Sequence, residues 1–118
     1  MDKSSSFSLA QALLGKKVKI KIDRKLGEPH PKWGWLYPVN YGFVEGITAP
    51  DGEELDAYLL KVDTPVDSYE GVVVAIVHRA ENDDDKLVVI PEGVDITDEE
   101  IEKLVDFQEK WFKHSIVR

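Results

Sequence analysis

The chain has 118 residues, of which 42% are hydrophobic, and its 15 basic and 23 acidic side chains give a net charge of −8 at pH 7. This length fits one domain, and the negative charge argues against a protein that binds nucleic acid or an anionic membrane surface. The absence of cysteine excludes disulfides, thiolate metal sites and cysteine nucleophiles. The sequence contains no apolar run long enough to cross a bilayer and begins with a poor signal peptide, so we expect a cytoplasmic protein.

The predicted elements are mostly short strands. Residues 1–14 are interpreted as a flexible lead or a short helix, and residues 15–118 as a single domain. In Lys17–Asp23 the apolar residues Val18, Ile20 and Ile22 alternate with polar ones, which is typical of a half-buried strand. Further strands are predicted at Gly42–Thr48, Leu55–Val62, Val72–Val77 and Lys86–Ile90.

A helix is predicted after the last of these strands. Thr97 and Glu100 match a capping box, and the apolar residues that follow fall on one helical face. That face comprises Ile101, Leu104, Val105, Trp111 and Phe112. Five short strands followed by a helix favour an all-β core with a C-terminal helix (an α+β chain), arranged as a five-stranded OB-type barrel.

Two acidic clusters interrupt the predicted strands. Asp51–Asp56 and Glu81–Lys86 each occupy the tip of a predicted hairpin. Carboxylate oxygens suit Mg²⁺, and two such loops meeting at one end of a barrel could hold a pair of ions for phosphoryl chemistry. The alternative is that both clusters are solvated turns, since Asp-Gly is common turn chemistry.

Aromatic residues form a second feature, in Trp33–Gly42. Trp33 and Trp35 could fill the core, whereas Tyr37 and Tyr41 lie four residues apart and either phenol could face a ligand.

Basic side chains form a third feature. Lysines such as Lys19 and Lys113 are interpreted either as solubilising charges or as anion ligands. Lys86 is the more specific candidate, because it directly follows three aspartates. The histidines His30, His78 and His114 have no metal-ligand spacing and are interpreted as structural or incidental.

These motifs together resemble the soluble (family I) inorganic pyrophosphatases. The stretch Asp51-Gly52-Glu53-Glu54-Leu55-Asp56-Ala57 is similar to that family's signature of three spaced acids, with glutamate in place of the middle aspartate. Upstream, Tyr37-Pro38-Val39-Asn40-Tyr41-Gly42 resembles its Tyr-Pro-x-Asn-Tyr-Gly block. Downstream, Asp84-Asp85-Lys86 resembles its Asp-x-Lys segment.

The resemblance implies Mg²⁺-dependent hydrolysis of pyrophosphate to two phosphates, with two or more ions, Mn²⁺ as a possible substitute, and a homo-oligomeric assembly. It implies metal binding by Asp51, Asp56, Glu81 and Asp84, and roles in catalysis for Glu53, Tyr41 and Lys86. The expected substrate-binding residues are Lys19, Tyr37, Lys86 and Lys113.

Departures from the family pattern leave alternatives open. The stretch before the tyrosine block lacks the expected arginine, and Phe112 stands where a tyrosine is expected. A degenerate relative that binds metal and phosphorylated ligands without turnover is therefore one alternative. An OB-like interaction module is another, although the acidic charge argues against single-strand binding.

Overall fold

The computed structural model of the protein describes residues 5–48, 54–79 and 85–118. Among these described residues the chain forms six strands and two helices, and neither helix has the length and apolar character of a membrane span. The elements in chain order are α1 (Ser5–Leu13), β1 (Lys17–Arg24), β2 (Asn40–Thr48), β3 (Glu54–Leu59), β4 (Ser68–Arg79), β5 (Lys86–Ile90), α2 (Asp98–Glu109) and β6 (His114–Val117).

Strand β1 folds as its alternating sequence predicts. Val18, Ile20 and Ile22 are buried, whereas the lysines between them are exposed. Successive side chains of a strand point to opposite faces, so one face of β1 joins the core and the other meets water.

The strands close into a barrel. The sheet order is β1-β2-β3-β5-β4-β6, and β1 also pairs with β4. This additional pairing joins the first five strands into a ring, which confirms the five-stranded barrel expected from the sequence. Strands β3 and β5 run parallel, whereas the other paired strands are antiparallel.

Strand β4 is longer than its apolar run predicted, because three strands pair along it in succession. Its first part, Ser68–Val72, pairs with β1, its middle with β5, and its last four residues with β6. Strand β6 was not predicted from the sequence. Its four residues are partly exposed and carry little periodic signal, so they form a strand only by pairing with β4.

Strands β3 and β5 are buried on both faces, which determines where the candidate site lies. Leu55, Ala57 and Leu59 of β3 belong to the apolar cluster that also contains the buried residues of β1. Tyr58 belongs to a second cluster, which is formed with α2. Since side chains two residues apart share a face, Asp56 lies on the same side of β3 as Tyr58, toward α2.

Helix α2 begins as predicted but ends earlier. The Thr97 hydroxyl accepts a hydrogen bond from the Glu100 backbone N–H and the Glu100 carboxylate accepts one from the Thr97 backbone, which confirms the capping box. The expectation that Trp111 and Phe112 extend the apolar helical face was wrong, because α2 ends at Glu109 and Trp111 is 73% exposed. The last buried position of the helix is instead the carboxylate of Glu109.

Candidate active site

Three residues predicted from the sequence to carry chemistry meet on the side of the barrel that faces α2. Asp56 of β3 lies opposite Lys86 of β5, because the two parallel strands pair in that register. The Lys86 ammonium donates a hydrogen bond to Asp56 Oδ2 at 3.1 Å, and the Tyr41 hydroxyl of β2 donates to the same oxygen at 3.0 Å. A carboxylate, an ammonium and a phenol from three neighbouring strands therefore share one oxygen atom.

The burial of this triad explains its pairing. The Lys86 side chain is 3% exposed and that of Asp56 is 35% exposed. A buried ammonium is strongly unfavourable unless an opposite charge faces it, and Asp56 supplies that charge. Asp56 Oδ1 has no hydrogen-bond partner among the described residues, so this oxygen is able to bind a cation or a water molecule.

A second polar network lies beside the triad, centred on the fully buried Glu109. The Arg79 guanidinium donates two hydrogen bonds to the Glu109 carboxylate, both at 2.9 Å. The Tyr58 hydroxyl donates to Glu109 at 2.8 Å and accepts from the Gln108 amide at 2.7 Å. The Phe112 ring covers the guanidinium, with 3.7 Å between Arg79 Cζ and the ring centroid.

This network fixes the protonation state of Tyr58. Burial and the neighbouring Glu109 charge both raise the pKa of the phenol far above its ordinary value. Tyr58 therefore remains a hydrogen-bond donor at any physiological pH, and together with Glu109 it connects β3 to α2.

The loop that precedes Tyr41 is held by the side chain of Asn40, which is fully buried. The Asn40 carbonyl oxygen accepts a hydrogen bond from the Leu26 backbone at 2.9 Å, and its amide donates to the Thr64 carbonyl at 3.0 Å. Since a buried amide is stable only when its groups are paired, Asn40 joins two loops at the base of the strand that carries Tyr41.

The triad of Tyr41, Asp56 and Lys86 and the neighbouring Arg79 guanidinium line one cavity of about 950 Å³. Aromatic side chains make up much of its lining. Among the described residues, the charged side chains in the lining are Arg79, Lys86 and Asp56. The lining consists of His30, Trp33, Trp35, Tyr41, Asp56, Arg79, Lys86, Gln108, Trp111 and Phe112. Such a volume suits a ligand of substantial size.

The remaining predicted residues that the structure describes do not line this cavity. Lys19 is exposed on β1, where it pairs with Glu70 of β4. Tyr37 is buried, with its ring stacked near Tyr41, and burial raises the pKa of its hydroxyl. Lys113 is exposed in the segment between α2 and β6.

Four predicted residues lie outside the described residues, namely Asp51, Glu53, Glu81 and Asp84. The described chain resumes after both gaps at the same end of the sheet, because β3 begins at Glu54 and β5 at Lys86 and the two strands are parallel. Within the described ranges, no group of three or more His, Cys, Asp or Glu side chains is arranged to hold a metal ion.

Arg79 and Glu109 were not predicted from the sequence as site residues, and the contacts that His30 and His78 make near the site were not predicted either. Glu109 follows the apolar residues Ile101 and Val105 at the same spacing of four, which places it on the buried face of the helix. An acid on that face was a usable signal for a buried ion pair. His30 lines the cavity, and its Nδ1 atom accepts hydrogen bonds from the backbone of Lys32 and Trp33, both at 3.1 Å. His78 contacts the buried Asp85 carboxylate, directly before Lys86.

The sequence matches the family model described as inorganic pyrophosphatase over residues 12–116. Three solved inorganic pyrophosphatases have similar folds. The one from Ehrlichia chaffeensis is 16% identical, with a TM-score of 0.66 over 86% of this chain and 85% of that one. The Helicobacter pylori enzyme is 18% identical, with a TM-score of 0.67 over 86% of this chain and 84% of that one. The Neisseria gonorrhoeae protein is 19% identical, with a TM-score of 0.63 over 92% of this chain and 89% of that one.

A search of curated proteins found no significant match to the sequence. The likeness in structure extends over most of each chain but at low identity, so it establishes the shared fold.

Proposed function

The chain belongs to the inorganic pyrophosphatase family, and on this premise we propose that it hydrolyses pyrophosphate to two phosphates with the help of Mg²⁺. The observation that carries the proposal is the hydrogen-bonded cluster of Tyr41, Asp56 and Lys86 in the lining of a large cavity. This cluster supplies an anionic ligand for a cation and a cationic ligand for a phosphate within one site.

We propose that Asp51, Asp56, Glu81 and Asp84 hold two or more Mg²⁺ ions, for which Mn²⁺ could substitute. Carboxylate oxygens are the ligands that Mg²⁺ prefers, and Asp56 Oδ1 has no competing hydrogen bond among the described residues. The parallel pairing of β3 and β5, which follow the two acidic segments, supports their convergence. When bound, such ions lower the pKa of water and offset the charge of the substrate.

The side chains of the protein have separate roles in this proposal. The Lys86 ammonium stabilises the negative charge that develops on the departing phosphate, and the Tyr41 hydroxyl holds Asp56 in position. Glu53 accepts a proton from the attacking water, whose oxygen bonds to one phosphorus while the bridging oxygen leaves with the other phosphate. Lys19, Tyr37 and Lys113 stay predictions as substrate-binding residues.

The substitution Asp56→Asn tests the proposal. It removes an anionic ligand and the partner of the buried Lys86 charge, so we expect phosphate release from Mg²⁺-pyrophosphate to fall by about 100-fold or more. The matched control is Asp63→Asn, because Asp63 is exposed in the loop after β3. Circular dichroism of each variant separates lost chemistry from lost folding. Absence of phosphate release by the wild-type protein at every Mg²⁺ concentration and pH would refute the enzyme assignment.

A second candidate is a protein that binds Mg²⁺-pyrophosphate without turnover. The Lys86 ammonium already donates a hydrogen bond to Asp56 Oδ2, so it would compete with Mg²⁺ for that oxygen. Calorimetry distinguishes the two functions, because a binder gives saturable heat and no continuing heat of hydrolysis. The homo-oligomeric assembly and the cytoplasmic location stay predictions. Sedimentation velocity tests the assembly.

A further inference from the structure

The cavity is larger and more aromatic than pyrophosphate requires. Pyrophosphate consists of two phosphoryl groups that interact through charge and hydrogen bonds, whereas the cavity has a volume of about 950 Å³. Three tryptophans line it, Trp33, Trp35 and Trp111, and we refer to them as the tryptophan cluster. Pockets of this volume are typical of organic ligands with more than one chemical group.

Within the tryptophan cluster, Trp35 forms a fixed base. It is half-buried, its ring centroid lies 4.6 Å from that of His30, and it meets Phe107 of α2 edge-on at 5.4 Å. A ring packed on two sides loses little conformational entropy when a ligand stacks on it, so Trp35 is preorganised for binding.

The other two tryptophans lie at the edge of the cavity and are largely exposed. Trp33 is 65% exposed and Trp111 is 73% exposed. Each has a lysine over its ring, with the Lys32 ammonium 4.9 Å and the Lys110 ammonium 5.0 Å from the respective centroids. Large aromatic surfaces exposed together around a cavity are typical of a ligand-binding site.

The charges around the cavity indicate an anionic ligand. Arg79 and Lys86 line it and are paired with the carboxylates of Glu109 and Asp56, whereas Lys32 and Lys110 add positive charge at its aromatic edge, so cations exceed carboxylates among the described residues around it. This local excess of cations contrasts with the net charge of −8 of the whole chain. A ligand that satisfies both features carries phosphate at one end and a planar ring at the other.

We propose that this cavity binds a nucleoside diphosphate, with its base stacked in the tryptophan cluster and its diphosphate beside Lys86. The proposal rests on the proposed function in one respect, because the diphosphate occupies the place assigned to pyrophosphate. Stacking on aromatic side chains accepts any base, so the proposal concerns the class of ligand.

The test titrates the 118-residue protein in Mg²⁺ with ADP and with methyl diphosphate, which has the same anionic group and no ring. We expect ADP to bind about tenfold more tightly or better, because each base that stacks on an aromatic side chain contributes an effect of this order. Equal affinity for the two ligands would overturn the proposal.

Variants of the exposed tryptophans locate the effect. Trp33→Ala and Trp111→Ala should each lower the preference for ADP over methyl diphosphate by about fivefold or more, measured as a ratio of affinities. Leu36→Ala is the matched control, because Leu36 is 62% exposed nearby but does not line the cavity. A preference that survives both tryptophan substitutions would contradict the stacking role.

Two further measurements separate this proposal from its alternatives. The first is phosphate release from pyrophosphate, measured in the same samples. Turnover without a preference for ADP refutes only the present proposal. A preference for ADP without turnover refutes only the enzyme assignment. The second is sedimentation velocity, which detects self-association. If the mass rises with concentration, Trp111→Ala abolishes this rise and no preference for ADP is found, the exposed tryptophans form contacts between copies of the chain and the proposal is refuted.

Discussion

Glu109 lies fully buried at the end of α2, where its carboxylate accepts two hydrogen bonds from Arg79 and one from Tyr58. The Arg79 guanidinium is only 7% exposed, so the Glu109 carboxylate compensates the cost of burying its charge. Removing one member of a buried ion pair leaves the other charge uncompensated, which destabilises a protein more than the pair itself stabilises it.

We therefore expect Glu109→Gln to lower the free energy of unfolding by about 3–5 kcal/mol, measured by urea denaturation. The control Glu99→Gln changes an exposed glutamate in the first turn of α2 and should cost less than about 1 kcal/mol, through its interaction with the helix dipole. Equal losses in the two variants would show that the buried pair contributes no special stability.

His114, at the start of β6, gives the molecule a pH-dependent contact. Partial burial lowers the pKa of its imidazole, but hydrogen bonds to the Phe112 carbonyl and the Glu102 carboxylate outweigh burial and raise the pKa above its ordinary value of 6.5. These bonds measure 2.9 Å and 2.8 Å, and the protonated ring donates both. The folded protein consequently binds this proton more tightly than the unfolded chain.

The stabilisation from His114 is complete below a pH of about 6.5 and is lost as the pH rises through the raised pKa. We expect the free energy of unfolding of the wild type to decrease from mildly acidic to mildly alkaline pH. The decrease should be smaller in His114→Gln, because glutamine does not titrate. Parallel pH profiles for the two proteins would contradict this assignment.

At the scale of elements, the contact of β1 with β2 depends on one glycine. Gly42 pairs with Ile22, and a Cβ atom at this position would lie 1.8 Å from the Lys21 carbonyl oxygen. The backbone of the two strands would therefore have to shift to accept any larger residue at position 42, which is adjacent to Tyr41.

We expect Gly42→Ala to lower the free energy of unfolding by about 3 kcal/mol, since the backbone has to shift to accept the methyl group. Gly46→Ala in the same strand is the comparison. Gly46 has open space around it but a φ of +77°, so alanine there should cost only about 1–2 kcal/mol of backbone strain. Thermal or urea unfolding measures both, and a larger loss for Gly46→Ala would refute the steric argument.

At the scale of the whole molecule, the charge of the chain supports the proposal that pyrophosphate binds together with metal ions. The chain carries a net charge of −8, whereas pyrophosphate is a multivalent anion. The described cations at the cavity are largely paired already, Lys86 with Asp56 and Arg79 with Glu109. In the proposed function, bound divalent ions would add the unpaired positive charge that binding of the substrate requires.

We therefore expect calorimetry to detect saturable binding of pyrophosphate in Mg²⁺ and none after removal of divalent ions with a chelator, and phosphate release to stop at the same time. Restoring Mg²⁺ should restore both, since the buried core clusters of the barrel consist of apolar side chains. Undiminished binding of pyrophosphate in the chelator would contradict the proposed role of the acidic residues.

Several features of this protein follow from its sequence alone, because they depend on neighbours along the chain. The alternation of Val18, Ile20 and Ile22 predicts a half-buried strand, and Thr97 with Glu100 predicts the start of α2. The number of barrel strands follows from the spacing of apolar runs and turns. Tyr41, Asp56 and Lys86 were predicted as site residues because each lies in a motif a few residues long.

Other features were decided only by the tertiary structure. Arg79 and Glu109 are 30 residues apart and form a pair because β4 and α2 pack together. Trp111 has the apolar character of a core residue, yet it lies exposed at the cavity because α2 ends at Glu109. The partners of β4 depend on closure of the barrel and not on the sequence of β4. Local patterns determine elements, whereas contacts between distant segments depend on the free energy of packing the whole chain.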